Sequence, residues 1–196
     1  MKVGVLAVQG DVQEHLDILE KAIASLGFSA KATRIRRKQD LEEASALIIP
    51  GGESTTIARL LQQNYLFDPV LKRAEEGMPI MGTCAGCILM AKEGDEEVER
   101  TQTRLLSLMD MAVARNAFGR QRESFEADLT ISGLSGDFRG VFIRAPAITR
   151  VWGDCFVLSR LEDTIVMARQ EARFGLTFHP ELWGDARIHE IFLESI

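Results

Sequence analysis

Short apolar runs alternate with stretches of helical periodicity from the start of this 196-residue chain, and that alternation restricts the fold more than any other feature. Residues 3–8 read as a buried strand, after which Gly10-Asp11 turns the chain and offers Asp11 as an N-cap. Val12, Leu16, Leu19, Ile23 and Leu26 keep the 3.6-residue period of an amphipathic helix, which Gly27 closes. Residues 28–35 read as a second strand. Residues 46–50 (ALIIP) form a third, apolar throughout as a strand covered on both faces should be. Ile57, Leu60 and Leu61 mark a second helix after Gly51-Gly52, and a further helix starts at Pro69 and ends at Gly77. Residues 79–83 (PIMGT) give a fourth strand that runs straight into a helix over 85–92. This β-α-β-α rhythm with short turns specifies a mostly parallel sheet with helices on both faces, an α/β fold. From Met109 onward the texture changes. Residues 125–131, 140–143, 155–158 and 164–168 read as short, partly antiparallel strands, and a last helix spans 185–194. With no repeat, low-complexity segment or linker in between, the expectation is one domain over 1–196.

Composition removes several classes of function. The charge balance of 23 − 29 = −6 argues against a generic nucleic-acid binder. The opening apolar run is too short for a signal peptide, and no run approaches the ~18 residues of a membrane span. Three cysteines form no disulfide framework and fit a reducing, cytoplasmic setting. Arg34, Arg36, Arg37 and Lys38 read as a solvated strand end, and residues 93–100 (EGDEEVER) as an exposed loop.

The strongest local signal is Gly82-Thr83-Cys84-Ala85-Gly86, a nucleophile placed between an apolar strand and a helix. On such a sharp turn side chains beside the nucleophile would strike neighbouring backbone, so small residues flank it. The turn also places Cys84 at a helix N-terminus, whose free N–H groups and dipole favour negative charge, and points the Ala85 N–H at a forming oxyanion. A cysteine nucleophile needs a base, and the base an orienting group. Of His15, His179 and His189, only His179 has a carboxylate at the i+2 position of an extended segment, in Phe178-His179-Pro180-Glu181. His15 reads as structural or as part of an interface, and His189 as a surface residue.

These residues resemble the class I (triad) glutamine amidotransferases and, within them, the glutaminase subunits of pyridoxal 5'-phosphate synthases. The likeness runs through VQGDVQEH (8–15), PGGEST (50–55), GTCAG (82–86), RNAFGRQRESFEA (115–127), VFIRAP (141–146) and FHPEL (178–182). Cys87 departs from it, standing where an apolar residue is usual. The resemblance implies a three-layer, flavodoxin-like α/β fold. It implies that Cys84 attacks the side-chain amide of L-glutamine, that His179 relays the proton, and that Glu181 orients His179. Gly52, Glu53 and Ser54 match a glutamine-binding loop, with Arg115, Ile143 and Arg144 as further glutamine contacts. Gly51 or Gly52 would join Ala85 as an oxyanion donor. The implied partner is a ring-forming synthase subunit in a large hetero-oligomer that receives the ammonia, with the first helix and its preceding loop in the docking surface. No cofactor, metal, nucleic acid or membrane is implied. Rival readings are a thioredoxin-type Cys84-x-x-Cys87 pair, a zinc site, a DJ-1/PfpI-type hydrolase, a degenerate scaffold, and a glutaminase subunit of another synthase such as the histidine-pathway one.

Overall fold

The computed structural model describes residues 1–115, 117 and 124–196. The expected alternation opens the chain as strand β1 (Lys2–Leu6), helix α1 (Val12–Leu26), strand β2 (Lys31–Ile35), helix α2 (Lys38–Glu42), strand β3 (Ala46–Ile49), helices α3 (Ser54–Gln63) and α4 (Phe67–Glu75), and strand β4 (Ile80–Thr83). Then come helix α5 (Ala85–Met90), strand β5 (Ala91–Glu93), helix α6 (Glu96–Arg100), and strands β6 (Met109–Ala114), β7 (Ser124–Leu129), β8 (Phe138–Ile143), β9 (Ala147–Val151), β10 (Phe156–Leu161), β11 (Thr164–Gln170) and β12 (Arg173–Leu176). Helix α7 (Arg187–Leu193) follows.

The main sheet runs β2-β1-β3-β4-β12-β11-β9-β6-β5, with β10 added beside β11, while β7 and β8 form a separate antiparallel ribbon. Pairing is parallel from β2 through β12 and again between β5 and β6; the pairs from β12 to β6 are antiparallel. The strand order reverses at β1, so the loops after β1 and β3 diverge at the carboxyl edge of the sheet. A crevice opens at such a switch point.

Alternation along the central strands builds two cores. Val3 and Val5 of β1, Ala46 and Ile48 of β3, Met81 of β4 and Phe174 and Leu176 of β12 pack with α1 and α7 on one face. Leu6, Leu47, Ile49 and Ile80 pack with α3, α4 and α5 on the other. Period-2 alternation inside an all-apolar run is what two covered faces require.

Several boundaries differ from the sequence reading for local reasons. The helix expected over 85–92 ends at Met90, because Ala91–Glu93 pairs with β6 as a strand. Residues 93–100 are not simply a loop: Asp95 caps α6 through Val98 N–H, and Val98 is buried. Helix α4 begins at Phe67, which places Pro69 inside the first turn, where its missing N–H costs nothing. The basic cluster is a solvated strand end as expected. Arg37 pairs with Asp40 at 3.1 Å and Lys38 with Glu42 at 3.5 Å, while Arg34 hydrogen-bonds Gln13.

Candidate active site

Cys84 terminates β4 with φ 48° and ψ −103°, a left-handed backbone that a non-glycine residue adopts only under constraint. Its own N–H donates to the Leu176 carbonyl of β12 at 2.8 Å, which pins the turn to the neighbouring strand. The flanking glycines are needed for space. A Cβ on Gly82 would strike the Gly86 backbone and the Met90 sulfur, and one on Gly86 would strike the Ile49 carbonyl. The elbow read from the sequence is therefore enforced by β3, β12 and the first turn of α5.

His179 follows β12, and its N–H donates to the Val141 carbonyl of β8 at 2.8 Å, so the ribbon fixes the segment that carries it. Its Nδ1 lies 2.7 Å from Glu181 Oε1 and 3.3 Å from Asp11 Oδ2. Cys84 stands beside it in the lining of one cleft. Burial opposes charge on this ring, but its polar contacts with Asp11, Cys84 and Glu181 outweigh it and push the pKa up to about 12. His179 is thus strongly favoured as imidazolium. Burial moves Glu181 upward, partly offset by His179, whereas the hydrogen bond with His179 holds Asp11 below the usual carboxylate range.

Asp11 was expected to cap α1. It stands at the N-cap position, but its side chain makes no capping bond and its carboxylate serves His179 instead. Sequence spacing did not reveal this partner, because the contact joins the β1 loop to the segment after β12. The same loop supplies Gln9, whose Oε1 accepts the Glu53 N–H at 3.0 Å and ties the β1 and β3 loops together.

A cleft of about 420 Å³ opens over Cys84, within the ordinary range for a small-molecule site. Ala85, Ile88 and His179 line it beside Cys84; Gly52, Glu53 and Ser54 come from the β3 loop; Arg115, Ile143 and Arg144 close the far side; Gln9 and Asp11 complete it. The nominated residues therefore converge, with two exceptions. Glu181 is buried behind His179, and Gly51 stands against the imidazole, where a Cβ would collide with His179 Cε1. Gln9, Asp11 and Ile88 were not nominated.

The binding candidates differ in what their side chains do. Glu53 spends its carboxylate on capping α3, accepting the N–H groups of Thr55 at 3.0 Å and Thr56 at 2.6 Å, so its side chain organises the loop. Arg115 sits 3.5 Å from Glu53, and its own N–H donates to Asp95 at 2.6 Å. Helix α6, missed in the sequence, thus positions Arg115. Arg115 Nη1 and Ser54 Oγ are buried polar atoms with no hydrogen-bond partner among the described residues, and both residues line the cleft. Such atoms call for an explanation, and a polar ligand supplies one. Arg144 holds φ 42°, a second strained residue at the site, and the Ile143 carbonyl lies 3.9 Å from Cys84 Sγ. Of the RNAFGRQRESFEA stretch, residues 116 and 118–123 lie outside the described residues.

His189 corrects the sequence reading. It is fully buried, its Nε2 3.1 Å from His15 Nδ1, and burial pulls its pKa down to about 3. His15 is fully buried as well, which fits a structural role and removes it from any docking surface. Cys87 and Cys155 are buried free thiols; burial raises both, Cys155 to about 11, so neither is poised as a redox partner. No described helix is long and apolar enough to cross a membrane.

Known proteins align with this chain from end to end. It is 53% identical over 194 residues to "Pyridoxal 5'-phosphate synthase subunit PdxT" of Archaeoglobus fulgidus, covering 99% of this chain and 98% of that relative. It is 48% identical to the protein of the same name from Pyrococcus abyssi, covering 100% and 99%. A solved structure described as "Crystal structure of glutamine amidotransferase" superposes with a TM-score of 0.86 at 48% identity, covering 98% of this chain and 97% of that one. The structure of PurLQS from Thermotoga maritima, at 18% identity and a TM-score of 0.68, shares the fold. The SNO glutamine amidotransferase family matches residues 5–196, a span that includes the elbow, the histidine segment and every loop lining the cleft, and the chain belongs to that family.

Proposed function

We propose that this protein is the glutaminase subunit of a pyridoxal 5'-phosphate synthase, hydrolysing L-glutamine to L-glutamate and passing the ammonia to a synthase subunit. The observation that carries the chemistry is that Cys84 and His179 line one cleft of amino-acid size, with Glu181 hydrogen-bonded to His179 from behind. The full-length likeness to proteins named for that synthase supports the partner. It disfavours the DJ-1/PfpI and histidine-pathway alternatives.

The steps follow from the geometry. With the thiol proton already held on His179, the Cys84 sulfur attacks the side-chain amide carbon of glutamine. The N–H of Ala85, with Gly51 or Gly52 opposite, receives the oxyanion. The imidazolium, held by Glu181 and Asp11, donates its proton to the departing nitrogen, and ammonia leaves a thioester on Cys84. Water, deprotonated by His179, then attacks the thioester, releasing glutamate and restoring the thiol. Arg115 reads the α-carboxylate of the substrate, and Ser54, Glu53 and Gly52 shape the loop around it. Ile143 and Arg144 form the opposite wall.

Ammonia is useful to a synthase only if it is kept from bulk water, so a partner covers this edge in a cytoplasmic hetero-oligomer. Exposed Ile143, Leu182 and Trp183 beside the site, with Gln13 on α1, support a docking surface there. The test is ammonia release from glutamine, measured with the chain alone and with the candidate synthase subunit. Release that rises on adding the subunit is expected; no release in the assembled complex would overturn the proposal.

A further inference from the structure

Behind the proposed triad lies a second buried polar chain that the mechanism does not use. Glu181 presents Oε1 to His179, while Oε2 makes no well-aligned hydrogen bond to any described residue. His15 Nε2 stands 3.3 Å from that oxygen and 3.1 Å from Thr83 Oγ1, the side chain immediately before Cys84. His15 Nδ1 in turn lies 3.1 Å from His189 Nε2, and His189 Nδ1 is buried with no hydrogen-bond partner among the described residues. Glu181 and His15 side chains are both fully shielded from solvent.

Donor and acceptor bookkeeping selects one arrangement for two neutral rings. If His15 carried its proton on Nδ1, its Nε2 lone pair would face an ionised carboxylate oxygen. His189 would then carry an Nδ1–H with nothing to receive it, a buried orphan donor. The opposite arrangement removes both faults. His189 Nε2–H donates to His15 Nδ1, and His15 Nε2–H is left to face Thr83 Oγ1 and Glu181 Oε2. Only an acceptor lone pair on His189 then goes unpaired, which is the cheaper omission.

We propose that His15 is a positioning residue for the catalytic carboxylate: its Nε2–H is shared between Glu181 Oε2 and Thr83 Oγ1, bracing Glu181 against the strand that carries the nucleophile, with His189 fixing the tautomer. This rests on the glutaminase reading for its kinetic consequence, but not for its protonation pattern. The carboxylate is the group that a lone hydrogen bond to His179 would leave free to rotate. A neutral donor on its second oxygen fixes that rotation and favours the ionised form without competing for the imidazolium. The charged or titratable groups facing the brace are Glu181 and His179 from the segment after β12, His189 from α7, and Asp11 from the β1 loop, whose charge also raises Glu181. Burial, with the nearby histidines, keeps His15 well below its ordinary pKa, as a neutral donor needs to be.

Two measurements test this. With three histidines in the chain, ¹⁵N–¹H long-range correlation spectra of the unmodified protein read each tautomer directly. His15 and His189 are expected to be neutral at pH 7, each with its proton on Nε2; an Nδ1–H or doubly protonated His15 overturns the proposal. The second is kinetic, on the complex with its synthase subunit. His15→Leu should lower kcat on the order of 10–100-fold, by analogy with the loss when outer-shell partners of metal ligands are removed. KM should hold within about twofold, and the acidic limb of kcat/KM should move to higher pH as Glu181 loses a donor. His15→Gln, which returns an N–H near the Nε2 position, should restore most of the rate and the limb. Equal impairment of both variants with an unshifted limb would reduce His15 to packing, and a wild-type rate in His15→Leu would refute the brace. If the leucine variant does not fold, the tautomer spectra decide the matter. An unmodified complex without glutaminase activity would remove the function proposed above and leave the tautomer result standing.

Discussion

Asp11 Oδ2 stands 3.3 Å from His179 Nδ1, so the loop after the first strand shares the imidazole with Glu181. Two carboxylates on one nitrogen give His179 a better-stabilised charge than the HPE segment alone supplies. They also predict unequal consequences of removing each. Glu181, buried and at 2.7 Å, is the principal partner. Glu181→Gln should cost on the order of 10²–10⁴ in kcat, by analogy with amide replacement in a serine-protease triad. Asp11→Asn, partly exposed and farther away, should cost about tenfold or less, consistent with a weaker ion contact. Steady-state kinetics of both variants in the complex checks the order; a larger loss in Asp11→Asn would reverse the assignment.

Cys84→Ala should abolish glutamine hydrolysis while leaving the circular dichroism spectrum and partner binding unchanged. Cys87→Ser and Cys155→Ser should each keep most of the activity, because both thiols are buried and held protonated. Residual turnover in Cys84→Ala above a few per cent would mean that another group forms the covalent intermediate.

Arg115 has a buried Nη1 in the cleft wall with no hydrogen-bond partner among the described residues. A charge-assisted hydrogen bond to the substrate carboxylate is worth about 1.5–3 kcal/mol. Arg115→Ala should therefore raise KM for glutamine roughly 10–100-fold with a smaller change in kcat. Glutamine titration kinetics reads the split; a fall in kcat at constant KM would move Arg115 from binding to the reacting centre.

Stability should fall with acid earlier than carboxylates alone require. His15 and His189 have folded pKa values below the ordinary 6.5, His189 at about 3, because both are buried. Below pH 6.5 the unfolded chain binds protons that the folded chain refuses, so folding weakens as pH drops toward 3, by up to about 1.4 kcal/mol per unit for each group. His179 works in the other direction. Its raised pKa adds stability that is complete below pH 6.5 and is lost as pH climbs toward 12. Urea midpoints at pH 7.5 and 5 test the acid side. A folded His189→Leu variant should show a shallower decline, and an unchanged decline would contradict the assignment.

Much of this was legible in the chain because the decisive geometry is local. Gly82 to Gly86 encode the elbow within five residues, and His179 and Glu181 share a side of one extended segment. The parallel half followed from apolar runs and caps, as in the closing of α1 at Gly27, which adopts φ 65°. What escaped was non-local. Asp11 looks like a cap until β12 brings His179 to it. Strands β6 and β9 depend on pairing with each other rather than on any strong pattern of their own. His189 does carry a local signal, its spacing with Ile188, Phe192 and Leu193 on the buried side of α7. Helix α6 carries one buried apolar residue, Val98, too little periodicity to betray a helix.

The bond between His15 and His189 joins residues 174 positions apart. During synthesis α1 leaves the ribosome long before α7 exists, and the histidine that α1 contributes must wait for its partner while β12 and the HPE segment are still being added. Contacts of such sequence separation form late and slowly. A nascent chain therefore holds Cys84 apart from His179 and from the His15–His189 pair until the segments that carry them have been added.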